Sequence, residues 1–321
     1  MVIDIRTVYL KIGDYPLLKE LNDQKAMEND KGRIVGVSAG LYSVEQNNKT
    51  VYARSRGVFR QKGIKPVVGD YVELNYEENT QPVIWGIQER KNFIIRPPLA
   101  NIDLAVLVVS SCEPKPNALI LDKLAAIFES KGIETVFVFT KIDRADAEVF
   151  KEIYEGVGYK TFSVNNATGD GAERVAAYLR GKTSALIGNT GVGKSSLMNY
   201  IAPEVSHKTS EISKKLGRGK HTTREVRLYK IGENTYTADT PGFSTVEIGK
   251  YGAIPSSELA ESFREFSDYL GGCRFKDCAH IKEDGCLLRA AAEEGKISRS
   301  RYDSYCKLFA QAVNEENNRF K

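Results

Sequence analysis

Gly188-Asn189-Thr190-Gly191-Val192-Gly193-Lys194-Ser195 spells G-x-x-x-x-G-K-S, the pattern of a phosphate-binding loop. An apolar, strand-like segment precedes it, and a helix-like segment at 196–201 follows. Its glycines let backbone N–H groups turn towards a phosphate at a helix N-terminus. We expect the loop and Ser196 to contact a nucleoside triphosphate, Lys194 to reach the β- and γ-phosphates, and Ser195 to bind Mg²⁺. The alternative, a glycine-rich turn that matches by chance, would not need the flanking strand and helix.

The composition is that of a soluble, multidomain protein. At 321 residues the chain exceeds one typical core, and 27% of its residues are charged while 41% are hydrophobic. No apolar run is long enough to cross a bilayer, and no secretory signal is recognisable. We therefore expect a cytoplasmic protein without a membrane partner. The net charge of +4 permits a nucleic-acid partner but does not require one.

A small β-barrel is predicted near the N-terminus. Residues 1–30 carry no motif and are interpreted as an N-terminal extension. Across 31–92, short β-rich segments are separated by Gly, Asn and Pro, at 34–37, 41–44, 51–54, 67–74 and 83–87. Five such strands favour a closed barrel, with an oligonucleotide-binding (OB) fold as one candidate.

Basic residues cluster between the third and fourth of these strands, next to two aromatic residues. The basic residues are Arg54, Arg56, Arg60, Lys62 and Lys65, and the aromatic residues are Tyr52 and Phe59. Basic groups interleaved with aromatic rings are typical of surfaces that bind single-stranded nucleic acid. A solvated loop over an ordinary barrel core explains the same residues equally well.

An α/β pattern follows a proline-containing linker at 91–98. Continuous apolar strands are predicted at 104–110, 135–140 and 161–164, and helices at 118–130, 147–156 and 172–179. Alternating strands and helices of this kind indicate a parallel sheet covered on both faces. We assign 99–245 to one domain, with the phosphate-binding loop in its middle.

Two further motifs indicate GTP. Asp239-Thr240-Pro241-Gly242 forms D-x-x-G, in which the carboxylate can reach Mg²⁺ through water and the Gly242 N–H can face the γ-phosphate. By itself this tetrapeptide is common in turns. Thr140-Lys141-Ile142-Asp143 ends a predicted strand, where ligands of open α/β sheets bind.

Asp143 can accept hydrogen bonds from N1–H and N2–H₂ of guanine, which adenine cannot donate, and Lys141 can cover the base. Most guanine-binding loops have Asn where Thr140 stands. The alternative for Asp143 is a helix N-cap, which Asp generally favours.

The order of the motifs is unusual. The guanine loop at 140–143 precedes the phosphate loop at 188–195 and the D-x-x-G at 239–242, whereas in ordinary GTPases the guanine loop comes last. This order indicates a circular permutation, which is tolerated when the original termini lie close together at the surface. The segment after Gly242 then continues directly into the C-terminal region, so a nucleotide-dependent switch there could act on that region.

That C-terminal region, 246–321, contains C-x₄-C-x-H-x₅-C. Its potential ligands are Cys273, Cys278, His280 and Cys286. Three thiolates and one imidazole form a closed tetrahedral set, which predicts one structural zinc ion. The alternative is a group of small buried residues with a surface histidine. Flanking helices are predicted at 257–270 and 299–314, so we expect a small helical domain around the metal.

A barrel, a permuted GTPase and this zinc spacing, in this order, resemble the RsgA (YjeQ/YloQ) family of ribosome small-subunit-dependent GTPases. The resemblance covers residues 30 to 321. It implies a late-stage assembly factor that binds the 30S subunit and leaves upon GTP hydrolysis. It also implies that the barrel and zinc domains contact 16S rRNA, and we expect a monomer that binds GTP and GDP.

Slow hydrolysis by the isolated enzyme is predicted from Phe243, which stands where Ras-like enzymes have the Gln that orients the attacking water. His221, in the basic segment Gly217-Arg-Gly-Lys-His-Thr-Thr223, is the expected substitute, and the resemblance also points to it. The alternative is a solvated loop histidine. Thr222 or Thr223 would complete the Mg²⁺ ligands, and we expect Thr223. A second functional hypothesis is an RNA-binding protein whose nucleotide is structural; a P-loop ATPase or kinase is disfavoured by Asp143.

Overall fold

The computed structural model of the chain describes residues 31–61, 63–77, 80–95, 97–205, 226–239 and 254–318. These residues form two units that are described separately. The first contains the described parts of Met1–Asp103, Arg180–Ala185 and Glu211–Gly242. The second contains the described parts of Leu104–Leu179, Leu186–Ser210 and Phe243–Lys321.

The first unit begins with a closed, five-stranded barrel. Its strands are β1 (Lys31–Ser38), β2 (Leu41–Gln46), β3 (Lys49–Ser55), β4 (Tyr71–Asn75) and β5 (Val83–Ile87). They are ordered β1-β2-β3-β5-β4, and β4 returns to pair with β1; only β3 and β5 run parallel. Interior side chains come from alternate positions, with Ile34, Val44, Ala53, Val72 and Ile84 fully buried. The predicted OB-like barrel is confirmed.

The predicted strand 67–74 is wrong in its first half, because β4 begins only at Tyr71. Gly69 has a φ of 94°, in the left-handed region that favours glycine. The next residue, Asp70, is fully buried, and its carboxylate forms a bidentate ion pair with Arg90 at 2.7 and 2.8 Å. The turn that buries this ion pair interrupts the apolar run. A short helix, α1 (Gly57–Gln61), lies between β3 and this turn.

A short hairpin occupies the predicted linker at 91–98. It consists of β6 (Phe93–Ile94) and β7 (Leu99–Ala100). The Asn92 side chain donates to the carbonyl O of Ile102 at 2.8 Å and accepts the N–H of the same residue at 2.9 Å. These bonds hold the two ends of the hairpin together.

The first unit is completed by a second hairpin, β12 (Arg227–Gly232) and β13 (Thr235–Asp239). β13 pairs in parallel with the start of β11 (Thr183–Ile187), and β12 pairs antiparallel with β1. The sequence analysis had not predicted β12.

The second unit contains the parallel strands β8 (Leu104–Ser110), β9 (Glu134–Thr140) and β10 (Lys160–Val164), ordered β10-β9-β8. All seven residues of β8 are buried, as predicted for a strand covered on both faces. The helices of this α/β part are α2 (Ala118–Glu129), α3 (Glu148–Gly156), α4 (Ala172–Leu179) and α5 (Lys194–Ile201). No helix within the described residues is long and apolar enough to span a membrane.

The C-terminal part of the second unit is helical but irregular at its start. Its elements are 3₁₀ turns at Ser256–Glu258, Ala260–Ser262 and Arg264–Tyr269, followed by α6 (Leu287–Glu293) and α7 (Arg299–Asn317). The single helix predicted at 257–270 is therefore wrong. Phe263 is extended, with φ −108° and ψ 108°, and its buried ring stacks on Phe266 at 4.9 Å. Tertiary packing of these rings overrides the helical pattern.

A buried guanidinium connects α7 to the rest of this unit. Arg301 is 1% exposed and donates to both carboxylate oxygens of Glu265, at 2.7 and 2.9 Å. It also donates to Asp122 of α2 at 2.8 Å, and the hydroxyl of Tyr154 donates to the same carboxylate oxygen at 3.0 Å. Arg301 and Asp122 are thus removed from water together, which is tolerated because they form an ion pair with each other and because Arg301 also pairs with Glu265.

Replacing Arg301 by Met should lower the free energy of unfolding by about 3–5 kcal/mol, because two buried carboxylates lose their counter-charge. The matched control is Arg299→Met, which removes an exposed pair with Asp303 on the same helix. It should change the free energy by about 0.5 kcal/mol or less. Urea unfolding followed by circular dichroism measures both, and equal effects would contradict the assignment.

Candidate functional site

The loop predicted to bind phosphate, 188–195, connects β11 to α5. Gly193 is the N-cap of α5 and has a φ of 101°. A Cβ on Gly193 would lie 2.3 Å from Nδ2 of Asn166, and a Cβ on Gly188 would lie 2.4 Å from the carbonyl O of Val108. Both positions therefore require glycine because of close approach, and at Gly193 the backbone conformation adds to this requirement.

The N-terminus of α5 presents the groups that a phosphate would need. The first turn of a helix leaves backbone N–H groups without intrahelical acceptors and carries a partial positive charge. Thr190 and Ser195 are exposed here, and Ser196 is half-buried. The Nζ of Lys194 donates to the carbonyl O of Asn189 at 2.8 Å, so the ammonium group lies against the loop.

The predicted guanine loop contacts the phosphate loop directly. Thr140 Oγ1 lies 2.5 Å from the carbonyl O of Val192 and 3.2 Å from that of Val109. Lys141 Nζ donates to the carbonyl O of Gly191 at 2.6 Å. Thr140 is fully buried. The threonine that replaces the usual Asn therefore still supplies a polar contact between the two loops.

Asp143 lies in the turn after β9. Because α3 begins only at Glu148 and its N-cap is Ala147, Asp143 is not a helix N-cap. The Nε of Arg144 lies 3.8 Å from Asp143 Oδ2, a loose pair at the surface. Ser111 Oγ donates to the carbonyl O of Lys141 at 2.8 Å and so helps to hold the turn.

Asn166, which the sequence analysis missed, lies between the two loops. Its Oδ1 accepts the N–H of Lys141 at 3.2 Å, while its Nδ2 packs against Gly193. The hydroxyl of Tyr200 donates to the carbonyl O of Asn166 at 3.3 Å and of Ala167 at 3.2 Å. Its position just after β10 was the signal in the sequence that could have identified it, because the carboxyl ends of neighbouring parallel strands lie at one edge of the sheet.

Several predicted site residues lie outside the described part of the chain. They are His221, Thr222, Thr223, Gly242 and Phe243. Asp239 is the last residue of β13. The roles assigned to these residues therefore stay predictions.

The four predicted metal ligands come together. One ligand atom from each of Cys273, Cys278, His280 and Cys286 lies within 4.8 Å of the others. Nδ1 of His280 is 3.5 Å from the sulfurs of Cys273 and Cys286, which are 4.0 Å apart. Tetrahedral zinc would place sulfur and nitrogen about 3.5 Å apart and two sulfurs about 3.8 Å apart. The donor set fits zinc in both chemistry and size.

Hydrogen bonds fix the loop that carries His280. The hydroxyls of Tyr302 and Tyr305 on α7 donate to the carbonyl O of His280 and of Ala279, each at 2.8 Å. The Glu283 carboxylate accepts three backbone N–H groups of the same loop, at 2.9 to 3.2 Å. His280 itself has a φ of 60°. The loop is therefore held in an otherwise unfavourable conformation, as is common around metal ligands.

Two ionisation equilibria in the cluster bear on metal binding. Burial lowers the pKa of His280, which favours the neutral imidazole that binds metals. Burial, followed by the neighbouring thiols, raises the pKa of Cys278 to about 12. Thiolates at this position therefore require a compensating positive charge, which a divalent ion supplies.

The basic and aromatic cluster of the barrel is only partly available to a partner. Phe59 is 1% exposed and belongs to the barrel core. The guanidinium of Arg56 lies 3.5 Å over the ring of Trp85. Tyr52 and Arg54 on β3 are exposed. Phe59 is therefore not available to stack on nucleic acid, because its ring fills the interior, whereas Tyr52 and Arg54 are available.

Comparison with known proteins identifies the family. The family model described as RsgA N-terminal domain matches residues 31–84, and the one described as RsgA GTPase matches 87–249. The chain is 40% identical over 298 residues to the small ribosomal subunit biogenesis GTPase RsgA of Caldanaerobacter subterraneus subsp. tengcongensis. That alignment covers 92% of this chain and 100% of the relative.

Two solved structures are similar throughout. YjeQ from Thermotoga maritima has a TM-score of 0.75 at 34% identity, covering 88% of this chain and 98% of its own. YloQ, described as a circularly permuted GTPase, has a TM-score of 0.73 at 29% identity, covering 91% and 98%. An OB-like barrel, a circularly permuted GTPase domain and a helical region with a Cys₃His cluster thus succeed one another along this chain. The chain belongs to the RsgA family of GTPases.

Proposed function

We propose that the protein hydrolyses GTP as a late-stage assembly factor of the 30S ribosomal subunit in the cytoplasm, binding the subunit with GTP and leaving upon hydrolysis. The observation that carries the nucleotide part is the contact of Thr140 and Lys141 with the phosphate loop. It brings a phosphate-binding and a guanine-binding motif together at one edge of the sheet. The name of the relatives, small ribosomal subunit biogenesis GTPase, supports the ribosomal part.

Nucleotide binding is assigned to the two connected loops. Residues 188–196 would surround the phosphates with backbone N–H groups, and Lys194 would turn from its carbonyl acceptors to the β- and γ-phosphates. Asp143 would accept the guanine N1–H and N2–H₂ groups, and Lys141 would cover the base. The two loops, which contact each other, would thus bind the phosphates and the base of the same GTP molecule.

Hydrolysis is assigned to residues around the γ-phosphate. Ser195 and Thr223 would hold Mg²⁺ directly and Asp239 through water, where the ion would offset the phosphate charge. The Gly242 N–H would face the γ-phosphate. His221 would orient the attacking water, a role that Phe243 cannot fill because it has no hydrogen-bonding group.

Contacts with 16S rRNA are assigned to the barrel and to the C-terminal region. On the barrel, exposed Tyr52 and Arg54 combine an aromatic face with a positive charge, a combination that suits RNA bases and phosphates. We propose that the protein binds the subunit as a monomer.

Small subunits should accelerate GTP hydrolysis by at least about a hundredfold; activating residues supply about 10³ to 10⁵ in other GTPases. Phosphate release is measured for the protein alone, with 30S subunits and with 50S subunits. The 50S subunit should have no effect. His221→Ala should abolish the stimulation without weakening GTP binding.

A slow rate that neither subunit changes, with GTP still bound tightly, would contradict this function. It would favour the RNA-binding protein with a structural nucleotide. Lys194→Ala is the control for contaminating GTPases, because it should remove hydrolysis under every condition.

We also propose that the Cys₃His cluster binds one structural zinc ion. Four protein ligands leave no open coordination position for a substrate. Cys278→Ser should lose the zinc and expose residues 254–318 to proteolysis, because metal binding and folding are coupled in such sites. Cys306→Ser, in the same region but outside the cluster, should retain one zinc per chain by mass spectrometric metal analysis. Retention of zinc by Cys278→Ser would contradict the ligand set.

A further inference from the structure

A polar pocket in the first unit uses none of the residues assigned to GTP or zinc. Its volume is about 390 Å³, within the range of small-molecule sites. It lies among β1, β2, β4 and the β12–β13 hairpin. Its charged and aromatic lining residues are Arg33, Glu45, Tyr71, Asp103, Lys230 and Tyr236.

Arg33 is a buried cation that lines this pocket. It is 6% exposed, and its guanidinium lies 5.1 Å from the ring centre of Tyr71 and 4.9 Å from that of Tyr236. Nη2 donates to the carbonyl O of Asn101 at 3.3 Å, whereas Nε has no acceptor. Among the described residues no carboxylate pairs with it. Buried charges are ordinarily paired, so this arginine points to an anionic ligand.

The two carboxylates of the pocket are already neutralised. Glu45 accepts from Lys230 and from the hydroxyl of Tyr236, both at 3.1 Å. Asp103 pairs with Lys91 at 3.0 Å and accepts the N–H of Thr183 at 2.9 Å. With both acids paired, the charge of Arg33 remains to attract an anion.

The rim offers further recognition groups. Asn47, Asn48 and Asn234, at the tips of two hairpins, all have positive φ and bring amide donors and acceptors to the pocket. Tyr71 is 44% exposed, so its ring can also stack on a planar group. Arginine and lysine can bind a phosphate, an aromatic ring can stack on a base, and amides can hydrogen-bond to it. The pocket therefore offers a group for each of these parts of a nucleotide.

We propose that this pocket binds the phosphate of a nucleotide, either free or within an RNA strand, through Arg33 and the third N–H of Lys230, whose other two N–H groups donate to Glu45 and Asn48. The site is separate from the GTP-binding loops and would add a second nucleotide contact to the protein.

Isothermal titration calorimetry of the full chain, with one equivalent of GDP to occupy the GTP site and none in excess to enter the pocket, tests the proposal. The probes are adenosine monophosphate, which a guanine-reading aspartate disfavours, a short single-stranded oligouridylate, and inorganic phosphate. Lys230→Gln, whose side chain is 37% exposed and whose loss should not unfold the chain, should weaken binding about tenfold. Arg33→Lys should weaken it as well, because the planar fork is lost. The matched control, Glu45→Gln, should not weaken it.

Adenosine monophosphate binding with this dependence would support a free nucleotide, and oligouridylate binding alone with the same dependence would support RNA. Inorganic phosphate binding as tightly as either probe would overturn the nucleotide assignment. Failure of both nucleotide probes to bind, or affinities unaffected by Lys230→Gln and Arg33→Lys, would overturn the proposal.

Discussion

The structure of the candidate site depends on hydrogen bonds to the carbonyl oxygens of the phosphate loop. Thr140 and Lys141 contact the carbonyl oxygens of Val192 and Gly191. A loop whose carbonyl oxygens are engaged on one side is free to present N–H groups on the other, which is what an anion requires. These contacts join residues about fifty positions apart, so the permuted order of the motifs leaves the geometry of the site intact.

Within the second unit, helix α7 connects the Cys₃His loop to the α/β part. Through Arg301, α7 is tied to Asp122 of α2, which also bonds Tyr154 of α3, the helix after the guanine loop. Through Tyr302 and Tyr305, the same helix holds the loop of the metal ligands. Neighbouring residues of this single helix therefore contact both the Cys₃His loop and the α/β part of the second unit.

The sequence sufficed for features whose cause is local. Continuous apolar runs predicted β8, and motif spacings predicted the loop between β11 and α5 and the clustering of Cys273, Cys278, His280 and Cys286. Sequence-based prediction failed where contacts between residues far apart along the chain decide the conformation. The strand at 67–74 was interrupted by the buried pair of Asp70 with Arg90, and the helix at 257–270 by packing of aromatic rings. Asn166 escaped notice because its role depends on two loops that only the folded chain brings to it.

The Asp143→Asn variant tests most directly whether the loop at 140–143, which precedes the phosphate loop, recognises guanine. The measurement is its affinity for GTP and for xanthosine triphosphate. An asparagine amide has one acceptor oxygen and one donor NH₂, so it can accept N1–H and donate to the xanthine C2 carbonyl, but it cannot accept from both guanine donors as the carboxylate does. The variant should prefer xanthosine triphosphate by about a hundredfold or more, while Asp146→Asn, a control in the same turn, should keep the preference for GTP. An Asp143→Asn variant that still prefers GTP would contradict the account.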